Sequence, residues 1–322
     1  MISVNNLKKT YKITKKGKGF VGFLKNIFTR EYKIVKAVDN ISFEIGEGEL
    51  VGLIGPNGAG KTSTMKILAG ILYPTSGKVS VLGYTPFDKN KQFLKQIAFV
   101  MGQKNQLLWD LPAYDSFLIN KAIYELDDTV FKKTLDNLTQ LLNCSELIDH
   151  PVKTLSLGER MKMELIASVL HQPKVLFLDE PTIGLDVVAQ KIIRDFIKVY
   201  QNQYKATILL TSHYMEDVKQ LAKRVMIINF GKIIYDGKLD QVIKQYVKTK
   251  TITVILEEKP DKKVLQQIDS YYRFDWPKAV FKVDREALEQ KVELISRNLS
   301  FADITIEEER IENIIRKIFE KK

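Results

Sequence analysis

A single cysteine, Cys144, stands in 322 residues. No disulfide framework can form within the chain, and this usage suits a reducing compartment. Long apolar runs are missing as well. No stretch approaches the roughly 18 consecutive apolar residues of a membrane-spanning helix. The opening MISVNNLKKTYKI has no apolar stretch behind its charges, so no secretory leader is expected. Acid is the scarcer charge: 39 Asp and Glu stand against 50 Lys and Arg, a formal net charge of +11. That balance favours acidic partners such as nucleic acid, nucleotides or an anionic membrane, and it equally suits a lysine-rich solvated surface. With 45% of residues hydrophobic, one large or two modest domains with real cores can form.

The first chemical signal is early. In GELVGLIGPNGAGKTSTMKILAG, an apolar strand over Leu50 to Ile54 leads into Gly55, Pro56, Asn57, Gly58, Ala59, Gly60, Lys61, Thr62 and Ser63, and then into an amphipathic helix. This is the G-x-x-x-x-G-K-[ST] phosphate loop in its required strand–loop–helix setting. Glycines let the backbone curl so that successive N–H groups face phosphate oxygens. Lys61 suits the β- and γ-phosphates, and the Thr62 hydroxyl suits Mg²⁺. The bare pattern arises by chance in about one chain in a hundred of this length, and the correct flanks make chance rarer still.

A phosphate loop needs a magnesium-holding acid at the end of a buried neighbouring strand. PKVLFLDEPTIGLD supplies Val175 to Leu178 as a continuous apolar run, then Asp179 and Glu180. Two adjacent carboxylates can divide the labour, one on Mg²⁺ and one polarising the attacking water. A further strand, KATILLTSH, ends at Thr211, Ser212 and His213. A histidine there suits a γ-phosphate contact, and a satisfied surface or core histidine is the plainer reading. In KTLSLGERMKMELIASVL, Ser156 reads as a helix N-cap before an apolar stripe of Met161, Leu165, Val169 and Leu170. The bare N–H groups of such a helix end attract anions.

In this order, GPNGAGKTS, LSLGER, VLFLDEPTIGLD and TSH resemble the ATPase subunit of an ATP-binding cassette (ABC) transporter, from about residue 1 to residue 240. The resemblance implies an α/β P-loop NTPase cassette, with a RecA-like core, an antiparallel β subdomain and a helical subdomain over about 104–170. ATP and Mg²⁺ are the implied cofactors, with Thr62, Gln103 and Asp179 at the metal and Glu180, His213, Gln103 and Lys61 as catalytic groups. LSLGER resembles the family signature, so Ser156, Leu157, Gly158 and Glu159 are expected to meet ATP held by the phosphate loop of a second subunit. Leu157 and Glu159 depart from the family's glycine and glutamine. The Leu157 side chain is expected to turn away from the phosphate, and Arg160 to offset Glu159. Tyr11 resembles the aromatic that stacks on adenine, and a strand aromatic packed on a neighbour is the alternative. Asp186 resembles the aspartate at the dimer interface.

From Lys104 to Thr154 the chain reads as helical, with Leu135, Leu138, Leu141 and Leu142 at helical spacing. Of Leu107, Leu108, Trp109 and Leu111, one or two are expected to be exposed, as part of a groove for a helix of a membrane subunit. Residues 247–322 read as a small α+β domain. Its expected strands are TITVILEE, AVFKVD and FADITIEE, and its expected helices KKVLQQIDSYY, REALEQKVELISRNL and ERIENIIRKIFEKK. No catalytic constellation is legible in it.

The resemblance implies a subunit that dimerises around MgATP and drives transport, export in particular, through separate integral membrane permease subunits, from the cytoplasmic face of the membrane. Nucleic acid is not an expected partner. Two alternatives stay open: a non-transport cassette acting on nucleic acid or the ribosome, which the net charge allows, and an importer ATPase. The cargo is not legible, because cargo contacts lie on the membrane subunits.

An insertion over about residues 14–36 is the most individual stretch, and it is similar to the exporter subclass. From Lys15 to Lys36 it carries seven lysines and arginines against one acid, Glu31, and Phe20, Phe23, Leu24, Ile27 and Phe28 fall on one helical face. An interfacial helix and an ordinary hairpin helix packed on the cassette both fit. Changing Phe23 and Ile27 together to Ser is expected to leave the melting temperature nearly unchanged while reducing flotation with anionic vesicles. A loss of several kcal/mol, of the order set by two buried side chains, with unchanged flotation would assign the helix to the cassette core.

Overall fold

Continuous apolar runs and alternating runs fold into different sheets. The computed structural model describes residues 1–14, 32–102, 105–212, 214–246, 249–270 and 272–308. The helix expected around Phe20 to Phe28 in the insertion and the helix expected over 309–322 lie outside these residues. The chain divides into two units, Met1–Gly237 and Lys238–Lys322.

Along the first unit run β1 (Ile2–Thr14), β2 (Tyr32–Ile45), β3 (Leu50–Ile54), α1 (Lys61–Leu68), β4 (Ser76–Val81) and β5 (Ile97–Met101). Three longer helices follow: α2 (Ala113–Tyr124), α3 (Asp128–Leu141) and α4 (Leu157–Val169). The unit continues through β6 (Val175–Asp179), α5 (Val187–Tyr204), β7 (Thr207–Thr211), α6 (Met215–Leu221), β8 (Arg224–Asn229) and β9 (Lys232–Lys238).

The main sheet has the order β5-β6-β7-β3-β8-β9, and its strands from β5 to β8 pair in parallel. Every residue of β3, β6 and β7 is buried. Covering both faces of a parallel sheet demands such unbroken apolar runs. The order sets the carboxyl ends of β6, β7 and β3 side by side. The register pairs Asp179 with Thr211 at the last step. A second sheet, β2-β1-β4, is antiparallel. Its inward residues, among them Val4, Phe43 and Val81, share one core with Val51, Met65, Phe177 and Met226.

Helix α3 starts at the Asp127 cap, whose carboxylate accepts from Thr129 N at 2.8 Å, and buries Leu135 and Leu138. Helix α4 differs from the expected one-sided stripe: every residue from Met161 to Val169 is buried. It packs against α2, α3, α5 and β5, so Lys162 and Glu164 are enclosed with the apolar residues. Glu164 Oε1 accepts from Gln106 N at 2.8 Å, and burial pushes its carboxyl above the ordinary range. Leu108, Trp109 and Leu111 are all exposed and only Leu107 is buried. Exposure is therefore broader than expected. The Leu111 N–H turns back to Leu108 O at 3.3 Å, a tight turn that projects its side chains outward. The Arg160 guanidinium lies over the Trp109 ring, 5.5 Å from its centroid.

In the second unit, α7 (Leu239–Tyr246) precedes β10 (Thr249–Leu256), α8 (Lys262–Ile268), β11 (Tyr272–Asp275), β12 (Lys278–Asp284), α9 (Leu288–Asn298) and β13 (Phe301–Glu308). The sheet order is β11-β12-β10-β13, all antiparallel. Ile252, Val254, Phe281 and Val283 of the sheet pack with Leu265 and Ile295 of the helices. The helix expected over Lys262 to Tyr272 stops at Ile268. Tyr272 and Phe274 are half-buried while Arg273 and Asp275 are exposed, a two-residue period that makes β11 a strand.

His171, just beyond α4, ties three elements of the first unit. Its ring stacks on Tyr124 with centroids 3.7 Å apart, and its Nε2 lies 3.0 Å from Ile97 O. The carbonyl can only accept, so Nε2 carries the proton. Burial pushes the imidazole down to about 4. The unfolded chain takes up a proton near the ordinary value of about 6.5, whereas the folded chain resists it. The stabilisation is therefore full above that value and is lost as the pH falls towards 4. Between pH 7 and pH 4.5 this is expected to remove about 2–3 kcal/mol. His171→Phe is expected to abolish that part of the pH dependence in denaturant unfolding.

Candidate nucleotide site

The loop between β3 and α1 is closed by glycines at two places where nothing else fits. A Cβ on Gly55 would stand 2.3 Å from Ile228 O, and one on Gly60 would stand 2.2 Å from Ala37 O. Gly60 also adopts φ 110°, a left-handed conformation. Lys61 starts α1, and its Nζ donates to Gly55 O at 2.7 Å and Pro56 O at 3.2 Å. The ammonium thus lies across the loop. Burial lowers its pKa, and the charges of Glu180 and Asp179 oppose that shift.

Asp179 closes β6 with both carboxylate oxygens engaged. Thr62 Oγ1 donates to Oδ2 at 2.8 Å, and Thr211 Oγ1 donates to Oδ1 at 2.7 Å. This brings the phosphate loop, the β6 carboxylate and the end of β7 together. A carboxylate beside a threonine hydroxyl is the hard oxygen set that Mg²⁺ favours, so the residues present fit that ion.

Glu180 follows in a left-handed conformation, φ 57°, which is uncommon away from glycine and strained by about 1–3 kcal/mol. Its N–H donates to Thr211 O and Thr211 Oγ1, each at 3.1 Å, and its carbonyl accepts from Ile183 N at 3.2 Å. A Cβ on Gly102 would lie 2.1 Å from Glu180 O. Gly102 N donates to Asp179 O at 2.9 Å. Gly102, Thr182 and Asp217 carry no local sequence pattern, and the sequence reading passes over them. Gln103 and His213 lie outside the described residues.

Ser156 caps α4. Its Oγ accepts from Glu159 N at 3.3 Å, while Glu159 Oε2 accepts from Ser156 N at 2.9 Å. This reciprocal capping box holds the Glu159 carboxyl below its usual range, chiefly through the Ser156 N–H. A Cβ on Gly158 would touch Ala189 Cβ at 3.0 Å, and one on Gly184 would lie 3.1 Å from Leu157 Cδ2. Leu157 therefore leans towards the loop after β6. Asp186 caps α5, accepting from Ala189 N at 2.8 Å. Beside it Val187 and Val188 are 77% and 70% exposed, an apolar pair the sequence reading does not single out. Tyr11 stands where β1 pairs only with β2. The residue is 38% exposed, and its ring carries the Lys9 ammonium 5.2 Å from its centroid.

A glycine loop between a buried strand and a helix, facing the carboxylate that closes β6 two strands away in the same sheet, defines a P-loop nucleotide-binding cassette. The ABC transporter family model matches residues 38–183. The ABC transporter ATP-binding protein NatA of Bacillus subtilis is 32% identical over 215 residues, covering 67% of this chain and 87% of NatA. The bacitracin transport ATP-binding protein BcrA of Bacillus licheniformis is 30% identical over 217 residues, covering 67% of this chain and 70% of BcrA. Among solved structures, a dimeric ATP-binding cassette in a post-hydrolysis state with ADP and Pi has a TM-score of 0.62 at 22% identity. The match covers 74% of this chain and 99% of that one, and it supports the fold. The chain belongs to the ABC transporter family as an ATP-binding subunit.

Proposed function

We propose that the chain hydrolyses MgATP in a head-to-tail dimer and drives export through separate membrane subunits. The observation that carries this is the Asp179 carboxylate held between Thr62 and Thr211 beside Lys61. Lys61 and the backbone N–H groups of the loop from Gly55 to Ser63, Pro56 excepted, hold the phosphates, and Tyr11 stacks on the base. Thr62, Asp179 and Gln103 hold Mg²⁺, which when bound neutralises charge on the β- and γ-phosphates. Glu180 accepts a proton from the attacking water, and His213 contacts the γ-phosphate. Ser156, Leu157, Gly158 and Glu159 serve the partner's nucleotide, with Asp186 at the same interface.

Residues 1–240 form the nucleotide-binding domain, and 247–322 an accessory domain. No described helix is long and apolar enough to cross a membrane, and the subunit acts peripherally at the cytoplasmic face. Exposed Leu108, Trp109 and Leu111 suit a helix of a membrane subunit. The basic insertion supports export over import.

Glu180→Gln removes the base and leaves Asp179 intact. It is expected to keep ATP affinity while lowering turnover by about 10²–10⁴-fold. Turnover within about threefold of the parent would reject Glu180 as the base.

Action in trans gives a separate expectation. Ser156→Arg and Lys61→Ala subunits are each expected to be inactive, and mixing them creates heterodimers with one composite site free of both lesions. Partial ATPase activity is expected to return on mixing. Heterodimers that form and stay inactive would count against two independently competent sites.

A further inference from the structure

Asp217 is wholly buried near the start of α6, and its carboxylate is shared by three other parts of the first unit. Oδ2 accepts from Ser212 Oγ at 2.7 Å and from Thr182 Oγ1, while Oδ1 accepts from Arg194 Nη1 of α5 at 2.8 Å. Ser212 Oγ also accepts from Tyr214 N at 3.0 Å, and Asp217 N donates to Tyr214 O at 3.1 Å. Thr182 lies two residues after Glu180, and Ser212 and Tyr214 flank position 213. Arg194 is buried too, and its Nε makes no hydrogen bond among the described residues.

A buried ion pair is weak evidence for net stability, because desolvation offsets most of its attraction. Arg194 and Asp217 could be replaced by apolar packing if stability were their whole role. An apolar pair would not hold two loops on one point. Thr182 and Ser212 belong to loops that leave different strands, and both hydroxyls end on the same carboxylate oxygen. The Arg194 guanidinium holds the other oxygen and so fixes the orientation of the acceptor. The ion pair is the anchor, and the hydroxyls are the tethers.

We propose that Asp217 is a positioning residue for ATP hydrolysis, its carboxylate tying the loop that carries Glu180 to Ser212 and Tyr214, the residues on either side of position 213. The proposal rests on the assignment of Glu180 as the base. It concerns the spacing of the two segments and gives Asp217 no contact with nucleotide.

The test removes the tethers and leaves the anchor. In the full-length chain, Thr182→Val with Ser212→Ala keeps the Arg194–Asp217 pair. Its kcat is expected to fall by about tenfold to a hundredfold, the scale of small misplacements at a reacting centre. The ATP dissociation constant is expected to stay within about threefold of the parent, while the melting temperature falls, because the buried Oδ2 loses both of its hydroxyl donors. The conservative pair Thr182→Ser with Ser212→Thr keeps both hydroxyls and should restore kcat to near the parent. The proposal is overturned if the Val/Ala variant turns over like the parent. It is equally overturned if kcat and ATP affinity fall together by similar factors, which marks a general loss of the folded site rather than of positioning. Glu180→Gln run alongside separates the two failures. An inactive Glu180→Gln beside an active Val/Ala variant removes only the tie, whereas an active Glu180→Gln removes the reading of the base and the tie with it.

Discussion

Asp179 is 8% exposed, and both of its carboxylate oxygens are already engaged. A charge in that position needs donors, since an unpaired buried carboxylate is strongly disfavoured. The two threonine hydroxyls meet that need from opposite sides. Thr211 is the cross-strand partner of Asp179, so its contribution follows from the parallel register. Thr62 comes from the first turn of α1, so its contribution requires the β3 loop to deliver the helix beside β6. The glycines at 55 and 60 allow that delivery by letting the loop touch the carbonyls of Ile228 and Ala37. Lys61 adds a buried positive charge to the negative charges of Asp179 and Glu180. The loop, the strand order and the buried runs are all conditions for one satisfied carboxylate.

Features written in contiguous residues were legible in the sequence. The strands at Leu50, Val175 and Thr207 could be found because burial on both faces requires unbroken apolar runs. The phosphate loop, the adjacent Asp179 and Glu180, and the Ser156 cap are local patterns with local causes. Features made by tertiary closure were not legible. Nothing near Gly102 signals that Glu180 O will pack where a Cβ would stand. Thr182 and Asp217 are 35 residues apart and share no period. Helix α4 shows a partial stripe in sequence, yet neighbours enclose it on all sides, because periodicity reports one apolar face and cannot report how many elements cover a helix. The short strand at Tyr272 reads in sequence as the end of the preceding helix, since four residues give a two-residue period little room to declare itself.

The departures in LSLGER take on meaning through contacts within the chain. A capping box accepts glutamate or glutamine at its third helical position, so Glu159 closes it as the family's glutamine could. Its carboxylate is tied back to the Ser156 N–H, a donor that would otherwise point out of the helix end. The same carboxylate reduces the positive potential of that end, which weakens its pull on an anion. Gly158 lies against Ala189, and Leu157 leans towards Gly184. Leucine in place of glycine therefore adds contact with the loop after β6.

That loop joins the two faces of the proposed machine over a very short path. Glu180 and Gly184 both take left-handed backbone, at φ 57° and 74°, which folds the segment tightly. Three ties then fix it: Glu180 N on Thr211, Thr182 on Asp217, and Ala189 N on Asp186. The outer end carries the exposed Val187 and Val188, and the inner end carries the proposed base. A loop pinned this often has few ways to deform. The tight fold around Glu180 and the exposed Val187 and Val188 are in this way two properties of one short segment.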